Sequence, residues 1–195
     1  PGYKISDDYH AAYDNPEQYG EGTNWFKLLT RTAPIQSYDL TVQSAREHSS
    51  STVIAGYQEQ QGVLINTGTK LYSLRFNQDF TSENNKLKIG FNVAPSYRLD
   101  HNNRLNSDGV GGYFERFFEA SPLASPYNPD GSYTRNVASP GMVAYINPLA
   151  TYQLTNDDYK TTRILGNVYL NYEVLPGLSI KTNLAADKGA ETRKY

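Results

Sequence analysis

Leu71-Tyr72-Ser73-Leu74-Arg75-Phe76-Asn77-Gln78-Asp79-Phe80 and, after a short polar break, Leu87-Lys88-Ile89-Gly90-Phe91-Asn92-Val93-Ala94-Pro95-Ser96-Tyr97-Arg98-Leu99 alternate apolar with polar residues. Successive strand side chains point to opposite sides, so Tyr72, Leu74, Phe76 and Phe80 share one face and Ser73, Arg75, Asn77 and Asp79 the other. In the second stretch Leu87, Ile89, Phe91, Val93, Tyr97 and Leu99 oppose Lys88, Asn92, Ser96 and Arg98. Both reach the ~9 to 11 residues that a tilted strand needs to cross a bilayer, and dyad alternation, not a continuous apolar run, is the signature of such strands. Leu74, Phe76, Ile89, Phe91 and Val93 are therefore expected to face lipid.

The same period recurs on both sides. Strands are predicted near 35–46, 52–60, 70–80, 86–100, 160–175 and 178–187, and the fifth adds Val168 and Leu170 to the lipid-facing set. Their connectors alternate in length: short at Glu47 to Ser51, longer at Gln61 to Thr69, short at Thr81 to Asn85, very long over 101–159, and tight at Pro176-Gly177. Short turns on one side and long loops on the other describe an up-and-down walk through a membrane, with the short turns periplasmic. The fold expected is all-β: antiparallel up-and-down strands forming part of a large transmembrane β-barrel, with one long extracellular loop. Tyr57, Tyr72 and Tyr97 then fall at outer strand ends and Phe80 and Tyr172 at inner ends, as two aromatic girdles. Outside the strands, Asn24-Trp25-Phe26-Lys27-Leu28-Leu29 suits a helical turn capped by Asn24.

Composition agrees. The 195 residues carry a net charge of −2, are only 38% hydrophobic and include seventeen tyrosines, with a mean hydropathy of −0.64. Strands with one lipid face and one wet face are half polar, and tyrosine suits the two water interfaces. The absence of cysteine removes disulfides and thiolate metal sites, and without a basic stripe nucleic acid is not expected as a partner. The chain opens on Pro1 and reads as a piece of a longer protein, so its lack of a leader says nothing about compartment.

Catalytic motifs are missing: there is no Gly-x-Ser-x-Gly elbow, His-Glu-x-x-His pair or phosphate-binding Gly-rich loop. No enzyme activity, metal or cofactor is expected. His10, His48 and His101 are far apart in sequence. Asp7-Asp8, Asp157-Asp158 and the Asp100-His101 pair read as solvated loop charge in preference to cation ligands. Arg75, Asp79 and Arg98 on the polar face, and Tyr113, Phe114, Phe117 and Phe118 in the long loop, are the candidates for contact with a solute. Lys88 and Glu173 share the polar face.

An ordered series of motifs runs through most of the chain: Thr23-Asn24-Trp25, Arg31-Thr32-Ala33-Pro34-Ile35-Gln36, Leu40-Thr41-Val42, Ala55 to Gly62, Asn66-Thr67-Gly68, Tyr72 to Asn77 and Leu87-Lys88-Ile89-Gly90. Further along come Asn147-Pro148-Leu149-Ala150, Arg163 to Asn167 and Tyr172 to Leu178. The series resembles the SusC/RagA-type TonB-dependent outer-membrane transporters of Bacteroidetes. Ser44-Ala45-Arg46-Glu47 departs from it where that family often has a Gly-Gly pair. No plug domain is recognised, and six strands are a fraction of the roughly 22 of such barrels, so the resemblance implies a fragment of the barrel. It also implies import of a large nutrient, a glycan oligosaccharide or a peptide, across the outer membrane of a Gram-negative bacterium. The partners it implies are TonB, outer-membrane lipid and a SusD-like surface lipoprotein over the mouth.

Two other classes compete. A soluble all-β carbohydrate-binding module would pack its apolar strand faces sheet on sheet. A polysaccharide hydrolase would need paired carboxylates, for which Asp79 and Glu173 are the available residues.

Overall fold

The computed structural model describes residues 13–102, 118–138 and 145–195. Six strands form one antiparallel sheet in the order β1-β2-β3-β4-β7-β8. They are β1 (Ile35–Arg46), β2 (Ser49–Gln61), β3 (Gly68–Thr81), β4 (Leu87–His101), β7 (Asp158–Leu175) and β8 (Leu178–Lys194). Every strand pairs with its neighbour in sequence once the two-stranded ribbon of β5 (Asn136–Val137) and β6 (Tyr145–Ile146) is set aside. This is the antiparallel meander expected from the connector pattern, and it stays open within the chain.

The turns follow from local chemistry. Glu47 and His48 join β1 to β2. Asn85 at φ 58° reverses the chain before β4, and Gly177 at φ 81° follows Pro176 between β7 and β8. Positive φ suits glycine and asparagine.

The ends of the ladders are staggered. Arg46 pairs with Ser49, and the row runs on through Phe80, Ile89, Leu170 and Thr182. The β7–β8 ladder then continues to the pair Leu175–Leu178, five residues beyond Leu170. An inner rim that steps by about one residue per strand is the shear of tilted strands in a barrel wall.

Among the described residues the apolar face of the sheet stays largely exposed. Leu74 is 45% exposed and Phe91 40%, and Leu40, Val42, Ile164, Val168, Leu170, Ile180 and Leu184 are exposed on the same face. The buried cluster consists of Trp25, Leu29, Ala120, Val137, Leu149 and Tyr152, with Leu64, Ile65 and Tyr133 packed against it. None of these except Val137, in the short ribbon, belongs to a strand. The cluster brings together α1 (Trp25–Leu29), α2 (Pro148–Leu154) and the connector between β2 and β3, at the long-loop end of the sheet.

Both helices are capped from within. Asn24 Oδ1 accepts from the Lys27 N–H at 2.9 Å, so this turn forms where the sequence proposes it. Asn147, fully buried, accepts from the Leu149 and Ala150 N–H groups while its amide donates to the carbonyls of Pro126 and Thr134. With proline at the first helical position, Asn147-Pro148 is a helix start whose side-chain hydrogen bonds also tie down a distant loop.

Several strands outrun their expected limits: β2 spans Ser49–Gln61 and not 52–60, and β3 Gly68–Thr81 and not 70–80. β8 reaches Lys194 and not Asp187, and β7 starts at Asp158, which shortens the long connection to 102–157. Backbone pairing continues there without apolar alternation, because ladder hydrogen bonds do not require it.

Candidate functional site

The sheet offers three surfaces: a polar face, an apolar face and the end that carries the small core. On the polar face, cross-strand pairs line up residue by residue. Asn92 donates to Asn77 Oδ1 at 2.8 Å and Asn167 to Asn183 Oδ1 at 2.7 Å. Arg163 holds Asp187 through two hydrogen bonds. Arg98 reaches Asp100 Oδ1 at 2.9 Å, and Thr69 donates to the same oxygen. Asp79 accepts from the Tyr169 hydroxyl at 2.7 Å. The Tyr169 ring crosses Gly90, where a Cβ would collide with it and with the Asp79 carboxylate, and Lys181 Nζ stands 5.4 Å from its centroid. Arg75, Asp79 and Arg98 therefore share one face, but Asp79 and Arg98 are engaged with neighbours while Arg75 is exposed. Sequence reading missed Tyr169, because its partner lies 90 residues away.

Asp79 shares a row with Gly90 and Tyr169. Glu173 is four residues further along β7, ~13 Å at ~3.3 Å per residue. That exceeds the ~5 to 9.5 Å between the carboxyl groups of glycosidases. Among the described residues no three His, Cys, Asp or Glu side chains converge as metal ligands.

The apolar face carries Leu74, Phe76, Ile89, Phe91, Val93, Val168 and Leu170 in facing register. Phe76 and Phe91 touch with ring centroids 5.6 Å apart. Above them runs a tyrosine row across four strands. Tyr38 meets Tyr57 at 6.3 Å, Tyr57 meets Tyr72 at 5.1 Å and Tyr72 meets Tyr97 at 6.2 Å. Sequence parity anticipated three of these rings; Tyr38 completes the row.

At the long-loop end, polar side chains fasten the loop to the strands. Asn66 and Asn102 both adopt positive φ. The Asn102 amide donates to the carbonyls of Asn66 and Thr155, and its Oδ1 accepts from the Asp157 N–H. His101 sits between Asp158 Oδ1, at 2.6 Å, and Asn66 Oδ1, at 3.1 Å. Asp157, 1% exposed, receives two hydrogen bonds from Arg193, whose guanidinium also lies over Tyr159. These groups are not the solvated loop charge expected from sequence: burial of a carboxylate requires a partner, and the partner comes from the last strand. Asp7, Asp8 and His10 lie outside the described residues.

Of the loop aromatics, Tyr113, Phe114 and Phe117 also lie outside the described residues, and Phe118 is 70% exposed. Tyr127 stacks on Tyr133 at 5.4 Å across a turn in which Asp130 accepts from the Ser132 N–H and hydroxyl. Those two donors hold the Asp130 carboxyl below its ordinary pKa.

No family model matches the chain. It is 30% identical over 177 residues to TonB-dependent receptor P26 of Formosa agariphila, covering 89% of this chain and 17% of that protein. It is 23% identical to the TonB-dependent receptor SusC of Bacteroides thetaiotaomicron, covering 97% of this chain and 21% of SusC. Among solved structures, the RagAB peptide importer in its closed-closed state matches with a TM-score of 0.69 at 18% identity, over 87% of this chain and 19% of that one. The RagAB peptide transporter matches with a TM-score of 0.65 at 18% identity, over 93% of this chain and 21% of that one. The chain thus spans about a fifth of the proteins it matches. Motif order, two-faced strands, staggered rim and shared fold agree, and the chain belongs to the SusC/RagA-type TonB-dependent transporters, as a stretch of their β-barrel in the outer membrane of a Gram-negative bacterium.

Proposed function

We propose that the chain forms part of the wall and mouth of an importer that carries a large nutrient, a glycan oligosaccharide or a peptide, across the outer membrane. One observation carries this reading: a six-stranded meander whose apolar face, among the described residues, is left uncovered by the buried core. Leu74, Phe76, Ile89, Phe91, Val93, Val168 and Leu170 meet lipid, and the opposite face lines the passage. A soluble carbohydrate-binding module would need a second sheet over those residues, and the core cluster includes none of them.

Strand length supports the same orientation. The 18 residues of β7, at ~3.3 Å each and a tilt of ~40°, rise ~45 Å, against an apolar band of ~25 Å. The outer part of the strand stands clear of the bilayer and carries the loop end.

Arg75 presents its charge to the passage and is the polar-face contact for solute. Asp79 and Arg98 shape the wall through Tyr169 and Asp100, within reach of passing solute. Phe118, with Tyr113, Phe114 and Phe117 of the same loop, contacts solute or a lid at the mouth. The lid is a SusD-like surface lipoprotein and TonB supplies the energy, as the family resemblance implies; RagAB is described as a peptide importer.

The test is nutrient-limited growth of a strain whose native transporter is replaced by Arg75→Ala, on oligosaccharide and on peptide separately. Uptake of one class should fall several-fold at an unchanged amount of assembled protein. If the unsubstituted transporter supports uptake of neither class while TonB is energised, the import reading fails.

A further inference from the structure

A cavity of ≈ 440 Å³ opens at the outer ends of β2, β3 and β4, lined by Arg31, Glu59, Lys70, Leu99, His101 and Asp158 among others. Its place in the register is specific. Glu59, Lys70 and Leu99 each stand two residues outward from Tyr57, Tyr72 and Tyr97 along their strands, and they pair in one row. They therefore project from the apolar face, one row outside the tyrosines, and not into the passage.

The charge there is unbalanced. Lys70 Nζ pairs with Glu59 Oε1 at 3.5 Å, and His101 with Asp158. Among the described residues Arg31 donates only to carbonyls, those of Gly62 and Thr67, and meets no carboxylate. Lys160 faces Leu99 across the β4–β7 ladder and is exposed. Arg31, Lys70 and Lys160, the last on the strand beside the lining, thus outnumber the acids Glu59 and Asp158 by one at the rim of a cavity that sits above the apolar band. The volume lies within the ~300 to 1,000 Å³ of small-molecule sites. Guanidinium and ammonium groups favour phosphate oxygens, and the tyrosine row marks the level at which chains give way to headgroups.

We propose that this cavity holds the phosphorylated sugar headgroup of a glycolipid of the outer leaflet, with the acyl chains of that lipid lying along Leu74, Phe76 and Phe91. Arg31 and Lys160 contact the phosphate, and the amides and hydroxyls of Gln61 and Thr67 meet the sugar. The proposal rests on the membrane orientation given above, which fixes this face toward lipid.

The experiment is native mass spectrometry of the intact transporter in detergent, titrated with bisphosphorylated lipid A. One bound lipid A is expected. Affinity should fall roughly tenfold or more in Arg31→Gln/Lys160→Gln, as loss of charge-assisted contacts implies, and should rise in Glu59→Gln, which removes an acid from the same rim. Opposite signs from neighbouring substitutions separate electrostatic contact from damage to the fold. Equal affinity in all three proteins, or equal binding of lipid A stripped of phosphate, overturns the site. So does full occupancy by inorganic phosphate alone, which assigns the cavity to a free anion. Outer-membrane fractionation of the unsubstituted protein reads the orientation separately. Its absence there removes both readings, whereas a membrane-assembled protein indifferent to phosphate removes only this one.

Discussion

A tyrosine ring can lie flat across a neighbouring strand only where that strand lacks a Cβ, and Gly90 provides that gap under Tyr169. The hydroxyl thereby reaches Asp79, two strands away, and three strands are braced by one side chain. Gly90→Ala should push the ring aside and destabilise the barrel by ~1 to 3 kcal/mol, as overpacking does. Tyr169→Phe should cost ~1 kcal/mol, the net value of one hydrogen bond. With Tyr169→Ala as background, Gly90→Ala should have little effect, because the clash is gone. Urea unfolding of the refolded barrel in detergent checks this, and strictly additive losses would remove the brace. Gly90 and Asp79 are visible in the sequence as a glycine and a polar-face acid, but their relation to Tyr169 exists only once β4 and β7 are paired.

At the scale of the element, the period-two pattern of β3 and β4 separates two environments one residue apart. Leu74→Arg and Phe91→Arg put a charge near the middle of the proposed lipid face and should each cost ~2 to 4 kcal/mol. Asn92→Arg, on the adjoining residue but the opposite face, should be tolerated. Heat-modifiable migration after assembly into vesicles gives the comparison; equal assembly of all three would count against the lipid-facing assignment. The alternation of these strands was legible because every second residue answers to the same solvent. The outer ends of β7 and β8 were harder to read. Beyond Asp187 the strand runs Lys188-Gly189-Ala190-Glu191-Thr192-Arg193-Lys194 with no apolar period, as the proposed orientation requires, since a segment above the membrane needs no greasy face.

At the scale of the whole molecule, the small core joins the chain near its start, through Trp25 and Leu29, to the return of the long loop, through Leu149 and Tyr152. Asp157 carries the same connection to the last strand, accepting two hydrogen bonds from Arg193. Arg193→Met leaves a buried carboxylate without its cation. Breaking a fully buried pair costs ~3 to 5 kcal/mol, and because the Arg193 side chain is 43% exposed about 2 kcal/mol is the better figure. That loss should appear locally. Hydrogen exchange should quicken over 145–158 and 189–194 while the middle of the sheet keeps its protection. Uniform loosening of the sheet would show that Asp157 and Arg193 hold up the barrel and not the mouth.

The sequence by itself determined that the chain is a meander of antiparallel strands with one greasy and one wet face, because strand geometry converts a local period of two directly into two surfaces. It also marked Asn24 as a cap, since a cap acts on residues within one helical turn, whereas the helix that Asn147 starts lay unread inside the long loop. Tertiary structure decided which polar residues are free to meet a ligand and which are consumed by the fold. Asp79, Arg98 and Asp157 look alike as acidic or basic positions in a string. Asp100 stands two residues from Arg98 on the same strand, but Tyr169 and Arg193 reach Asp79 and Asp157 only through strand register and loop closure, and no local pattern encodes contacts 90 and 36 residues apart.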